Sequence, residues 1–209
     1  ELTGTTPAGA KRYSFVLPLR GASTRHAFVP RLWASRQIAF LVDELRQQGG
    51  DLGAPLGSRG ADPFANPRLR ELRDEILRLA TGFGVLGEYT AFLATEGSNL
   101  GDWGALTDAC GKELNHRAVD TRSGAGAVNQ GVNLWAQKSQ QCLNYGNGYF
   151  DENMQRVETA AIQQICDRAF YRRGDRWIDS QSVMNQRLEP DEHVVFGSAR
   201  FAALLQQLE

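Results

Sequence analysis

Apolar positions run along this chain in two rhythms, and the breaks between them divide it into elements. Residues 12–19 are aromatic and branched, from Tyr13 through Phe15, Val16 and Leu17, which predicts a strand; Pro18 places it at an edge or an end. A polar turn follows at Gly21-Ala22-Ser23-Thr24. Pro30 then opens a helix, since its missing amide proton is not needed in a first turn. Ile38, Leu41, Val42 and Leu45 fall on one face of it, and Gly49-Gly50 is expected to stop it. Between residues 49 and 65, Gly49, Gly50, Gly53, Gly57, Gly60, Pro55 and Pro63 leave few apolar anchors, so a mobile linker is expected.

The next helix has the strongest local signals. Asn66 is a cap, Pro67 a first residue, and Leu69, Leu72, Ile76 and Leu79 line one face. Gly82 and Gly84 end it. Its stripe should pack against that of the first helix, with Leu41 and Leu45 facing Leu72, Ile76 or Leu79. Residues 89–95 read as a buried strand. From Glu96 to about Gly126 the chain is polar and Gly-rich, and no element is predicted there. A helix is expected over Ala127–Cys142 with Val128, Val132, Trp135 and Cys142 on its inner face. Arg173-Gly174-Asp175 predicts a hairpin between strands at 165–172 and 176–179, and His193–Phe196 a last short strand. Ser198 caps a terminal helix with a buried stripe of Phe201, Leu204, Leu205 and Leu208.

These elements describe an α+β fold: antiparallel strands, an α-helical hairpin and additional helices. Three segments follow. Residues 1–96 form a strand and helical-hairpin module, 97–126 a Gly-rich irregular insertion, and 127–209 a helix with a small hairpin and terminal helix.

Composition narrows the function classes. The 209 residues are 42% hydrophobic and 22% charged, and 23 Lys plus Arg balance 24 Asp plus Glu for a formal charge of −1. Such a surface has no drive toward nucleic acid, and no stretch approaches the roughly 20 apolar residues of a membrane span. The opening Glu1-Leu2-Thr3-Gly4 already reads as turn and strand, the pattern expected of a piece of a longer protein.

Candidate chemistry is sparse. Cys110, Cys142 and Cys166 include no C-x-x-C pair. One reading makes all three buried free thiols; in an exported protein Cys110 and Cys142, flanking the anchor-poor stretch, are the expected disulfide partners. Cys110 and His116 are close enough in sequence to suggest a nucleophile–base pair, but no family signature surrounds them. His26, His116 and His193 lack ligand spacing. Asp102, Asp108 and Glu113 do not follow a calcium-loop order. Asp179-Ser180-Gln181-Ser182 misses the D-x-S-x-S adhesion motif, because Gln181 stands where Ser belongs, and reads as a hairpin end with solvated hydroxyls. Gly82 to Gly87 matches G-x-G-x-x-G, yet a helix precedes it and a strand is expected after it, the reverse of a dinucleotide site. No catalytic, cofactor or metal residues are assigned, and no cofactor is expected.

Pro30-Arg31-Leu32-Trp33-Ala34-Ser35-Arg36-Gln37-Ile38, followed at matching spacing by Leu79 through Leu93 with its Tyr89-Thr90-Ala91, resembles a segment of the inter-alpha-trypsin inhibitor heavy chains and their bacterial relatives. In that family it follows a VIT domain and a von Willebrand factor type A domain. Phe170-Tyr171, Gly174 and Trp177-Ile178-Asp179 are similar to the tail of bacterial members. The resemblance implies that the antiparallel strands belong to β-sandwich modules. The family's metal site belongs to the type A domain, so no ligand carries over. The resemblance implies a non-catalytic scaffold or interaction segment of a larger extracytoplasmic protein (periplasmic, cell-surface or secreted), serving adhesion or assembly. Its partner would be protein: the remaining N-terminal part of the same molecule or another subunit. The alternatives are a thiol-dependent enzyme using Cys110 or Cys142, and a packing subunit of a large complex. Residues 12–19 are expected to join a sheet completed by such a partner.

Overall fold

Two helices organise the molecule. In the computed structural model, which describes residues 2–7, 9–16, 26–51, 62–165 and 168–208, α1 spans Phe28–Asp51 and α2 spans Pro67–Phe83. They pack together more extensively than any other pair of elements. Ala34, Ile38, Val42 and Leu45 of α1 are buried, and so are Leu69, Leu72, Ile76 and Leu79 of α2. The two apolar stripes thus meet as expected, with Leu41 partly buried beside them. Gly49 and Gly50 do not stop α1, which continues to Asp51. At Gly49 a Cβ would lie 3.2 Å from Val119 Cγ2, so the glycine serves a close contact. The linker expected to be mobile lies largely outside the described residues; its last part, Pro63–Ala65, is a 3₁₀ turn that buries Phe64.

The start of α2 follows its sequence signals. Asn66 Oδ1 accepts the Arg68 amide at 2.8 Å and Pro67 occupies the first turn. Gly84 closes the helix in the left-handed region, φ 61°, as only glycine does without strain. It also touches the main sheet: an added Cβ there would meet Ala169 Cβ at 2.5 Å.

That sheet has the order β5 (Ile162–Ile165), β6 (Arg168–Arg173), β7 (Arg176–Asp179), all antiparallel. The predicted hairpin around Gly174 is present, and β5 is a third strand that the sequence reading left out. Ala169 and Tyr171 alternate inward from β6. The Tyr171 hydroxyl donates to the Thr81 carbonyl at 2.9 Å, satisfying a group at the C-terminal end of α2. Two further antiparallel pairs complete the β structure: β1 (Leu2–Thr6) with β2 (Gly9–Tyr13), and β3 (Tyr149–Phe150) with β4 (Arg156–Val157). The strand expected at 12–19 ends at Tyr13, Ser14–Val16 are irregular, and residues 17–19 lie outside the described residues.

Three segments fold differently from the pattern of their residues. Residues 97–126 are not irregular: α3 spans Trp103–Glu113 and a π-helical stretch spans Leu114–Asp120. Asp102 Oδ1 accepts the Ala105 amide at 2.9 Å, and Leu106, Cys110 and Leu114 are buried at helical spacing. Residues 89–95 are a turn and a 3₁₀ helix, Ala91–Ala94, in place of a strand. Their amides bond locally, Leu93 to the Thr90 carbonyl and Thr95 to that of Phe92, so Tyr89 and Leu93 are buried without strand partners. His193–Phe196 is not a strand either; Val195 and Phe196 are 76% and 86% exposed.

The helix expected at 127–142 is α4, Gly124–Ser139, but its orientation is inverted. Val128 and Trp135 face outward, while Asn129, Gln130, Asn133 and Leu134 are buried. After the short α5 (Ser180–Met184), the terminal helix α6 (Ala199–Leu208) is capped as predicted, with Ser198 Oγ accepting the Phe201 amide at 3.1 Å. Its stripe is not buried: Phe201 and Leu204 are half-buried and Leu205 is exposed. One apolar core cluster runs from Ala34 to Val183, through all three expected segments. Among the described residues, no helix is long and apolar enough to cross a membrane.

Candidate functional site

The inverted face of α4 builds the most polar part of the interior. Asn133 donates to Glu88 Oε1 at 3.0 Å and to the Phe150 carbonyl at 2.8 Å, and its own carbonyl accepts the Phe150 amide at 2.8 Å. Asn129 donates to the Asp151 carbonyl at 2.6 Å and accepts from Arg117 at 2.9 Å. Gln130 donates to the Arg117 carbonyl at 2.6 Å and accepts the Tyr89 hydroxyl at 3.2 Å. Three amides on one helix face therefore bind β3, the π-helical stretch and the turn at Tyr89 to one another. A buried polar group needs such partners, because each unmade bond costs about 1–3 kcal/mol.

At the centre Arg117 pairs with Glu88, and both side chains are almost fully enclosed. Burial pushes the Glu88 carboxyl above its ordinary range, while the Arg117 guanidinium and the Asn133 amide oppose the rise. With Oε1 bonded to Asn133 and Oε2 facing Arg117, this carboxylate acts as a junction between elements.

Glu88 also borders two clefts. One, of about 430 Å³, is polar and lined by Glu113, Arg117, Tyr149, Asp151 and Glu152. The other, of about 340 Å³, is mainly apolar, with Ile38, Val85, Tyr89, Leu143 and Phe150 in its walls and Cys142 among its lining residues. A concave, largely apolar cleft with a few polar groups is the usual form of a small-molecule site.

The residues that sequence reading singled out do not converge. Cys110 is fully buried on α3, and desolvation pushes its thiol up to about 12, the opposite of an activated nucleophile. His116 points elsewhere, toward Glu152 at 3.6 Å. Cys142 is a free, exposed thiol on the apolar cleft, so neither the uniformly buried thiols nor the Cys110–Cys142 bridge is present; Cys166 lies outside the described residues. Asp102 is the α3 cap, and Asp108 and Glu113 are exposed on that helix. Among the described residues, no three His, Cys, Asp or Glu side chains are grouped for a metal ion. Ser180 is fully buried at the start of α5, not solvated, and Asp179 bonds Arg168 at 3.2 Å. His26 and His193 are exposed. In the Gly82–Gly87 stretch a helix comes first and a turn follows, the wrong order for a phosphate cradle.

Sequence reading missed Glu88, Arg117, Asn129, Gln130 and Asn133. The available signal was three amides at positions 129, 130 and 133 of one helix, a spacing that puts them on a single face. Compared with family models, curated proteins and solved structures, the chain matches none of them.

Proposed function

We propose that this chain is a non-catalytic scaffold or interaction segment of a larger extracytoplasmic protein, similar to those carrying VIT and von Willebrand type A domains, and that it serves adhesion or assembly. The observation that carries the reading is the β1–β2 hairpin. Its two five-residue strands pair with each other in full register, yet every position of β2 is exposed. Tyr13 at its end is 49% exposed, and Phe15 and Val16 just beyond it are 66% and 92% exposed. A lone two-stranded ribbon is marginal in water, and an open strand edge is a template for pairing. Strands from the remainder of the protein, adding to this edge and covering those apolar side chains, would complete it.

Amide hydrogen exchange tests the proposal. Residues 2–13 should exchange freely in the 209-residue chain and become protected in a longer protein that includes the preceding domains. Strong protection in the isolated chain, or none in the longer one, would overturn it.

A thiol-dependent enzyme is the second reading, favoured by the exposure of Cys142 on the apolar cleft. It requires a thiolate at neutral pH. An alkylation rate at Cys142 that rises only above the ordinary thiol range would remove that reading.

A further inference from the structure

We infer that the apolar cleft is a binding site for a small apolar carboxylate, whose carboxylate group accepts hydrogen bonds from Arg31 and Asn147. Arg31 is only 7% exposed. Its Nη2 donates to the Asn144 carbonyl at 3.1 Å and lies 3.5 Å from Asn147 Oδ1, while Nη1 has no partner. Among the described residues, no carboxylate forms an ion pair with it. A guanidinium enclosed without a counter-charge is costly, and an anion brought to it offsets that cost.

The second donor is on Asn147, which is 1% exposed. Its Oδ1 accepts the Leu86 amide at 2.9 Å, which identifies the other amide atom as nitrogen, and that Nδ2 is also without a partner. Both side chains line one gap of about 10 Å³, room for a single oxygen-sized atom. Both residues border that gap, and each carries a buried donor without a partner, one of them charged. Water could accept there but would leave the charge uncompensated.

The rest of the ligand is set by what adjoins the gap. Val85, Gln137, Gln140, Leu143 and Asn144 line both the gap and the 340 Å³ cleft. In the proposed complex an anion held at the gap extends its body toward Ile38, Tyr89 and Phe150 of the cleft. Those walls select an apolar body and disfavour phosphate, whose further charged oxygens would meet them. Arg156, also on the cleft, is already paired with Glu158 at 2.8 Å, which leaves Arg31 as the cation in need of an anion.

Cys142 supplies a reporter, because it lines the cleft and is exposed. The rate of Cys142 alkylation by iodoacetamide, read by peptide mass spectrometry on the full chain, should fall saturably with octanoate. Octanol, the same chain without charge, should require about tenfold more or fail to protect, as expected when a charged hydrogen bond is lost. Asn147→Asp keeps the acceptor for Leu86, removes the free donor and places a carboxylate beside Arg31. It should weaken octanoate by about tenfold or more while leaving the thermal midpoint equal or higher. Arg31→Met should weaken it likewise; if that variant does not fold, Asn147→Asp decides alone. Equal protection by octanol, protection by chloride alone to the same extent, no protection by octanoate, or full octanoate binding in Asn147→Asp would each overturn the inference.

Discussion

Replacing Gly84 with alanine adds one methyl group where the end of α2 meets the main sheet, and the structure resolves its effect into two parts. The backbone at Gly84 is left-handed, φ 61°, a conformation that costs an alanine about 1–2 kcal/mol. The new Cβ would also lie 2.5 Å from Ala169 Cβ and 3.2 Å from Ile162 Cγ2, so the sheet must shift. Overpacking of this kind costs about 1–3 kcal/mol more. Gly84→Ala should therefore destabilise by about 2–5 kcal/mol in urea unfolding. Ala169→Gly removes the methyl that is struck, at its own cost of about 0.5–1 kcal/mol for glycine in a strand plus about 0.8 kcal/mol for the lost buried methyl. If the steric part is real, the double variant recovers most of that ~1–3 kcal/mol relative to the sum of the single changes, since the 2.5 Å contact is gone while the Ile162 contact and the backbone cost remain. Additivity within about 0.5 kcal/mol would refute the close approach as the cause.

Three further outcomes are expected. Ile76→Ala, at a fully buried position of α2, should lower unfolding free energy by about 2–5 kcal/mol, and a loss well under 1 kcal/mol would show that this face of α2 is not the centre of the core. Glu88→Gln leaves the enclosed Arg117 charge only the exposed Glu152 carboxylate at 3.5 Å and should cost up to about 3–5 kcal/mol, with much of it restored when Arg117→Met is added; no restoration would mean that the pair is not the junction described. Burial raises the ionisation of Tyr171 and Tyr89 above the ordinary value near 10 and pushes the Cys110 thiol up to about 12. Each of these groups is neutral in the folded state, so its contribution to stability is complete below its ordinary ionisation range and is lost as pH rises toward the folded value. Phenolate absorbance from the two tyrosines should therefore appear together with loss of the far-ultraviolet helix signal, and ionisation ahead of unfolding would contradict their enclosure.

Pro30–Ile38 and Leu79–Leu93 are the two stretches that carry the sequence resemblance. Structurally, the first of these stretches is the early part of α1, with Ala34 in the core and Trp33 set edge-on to Phe83 at 6.2 Å. The second is the end of α2 together with the turn that delivers Glu88 and Tyr89 to α4. Both stretches also line the clefts, Arg31 and Ile38 from the first and Val85 and Tyr89 from the second.

What the sequence by itself determined was local. α2 was legible from end to end because Asn66, Pro67, the stripe of Leu69, Leu72, Ile76 and Leu79, and Gly84 act within one helix. The Gly174 hairpin and the Ser198 cap were legible for the same reason: each is a contact between residues three to nine apart. α3 carried equally local signals in Asp102 and in Leu106, Cys110 and Leu114, which the surrounding glycines obscured. Only tertiary structure decided the rest. Tyr89–Thr95 has the composition of a strand, but a strand needs a paired neighbour, and among the described residues none pairs with it; its amides close on themselves as 3₁₀ turns. The inward face of α4 was set by partners far along the chain, Glu88, Arg117 and Phe150, whose charges and backbone groups give buried amides the bonds they lose from water. An apolar count assigns Val128 and Trp135 to the core, because it scores side chains against solvent alone. The buried face went to Asn129, Gln130 and Asn133 because a polar side chain with every bond satisfied is no longer costly to enclose.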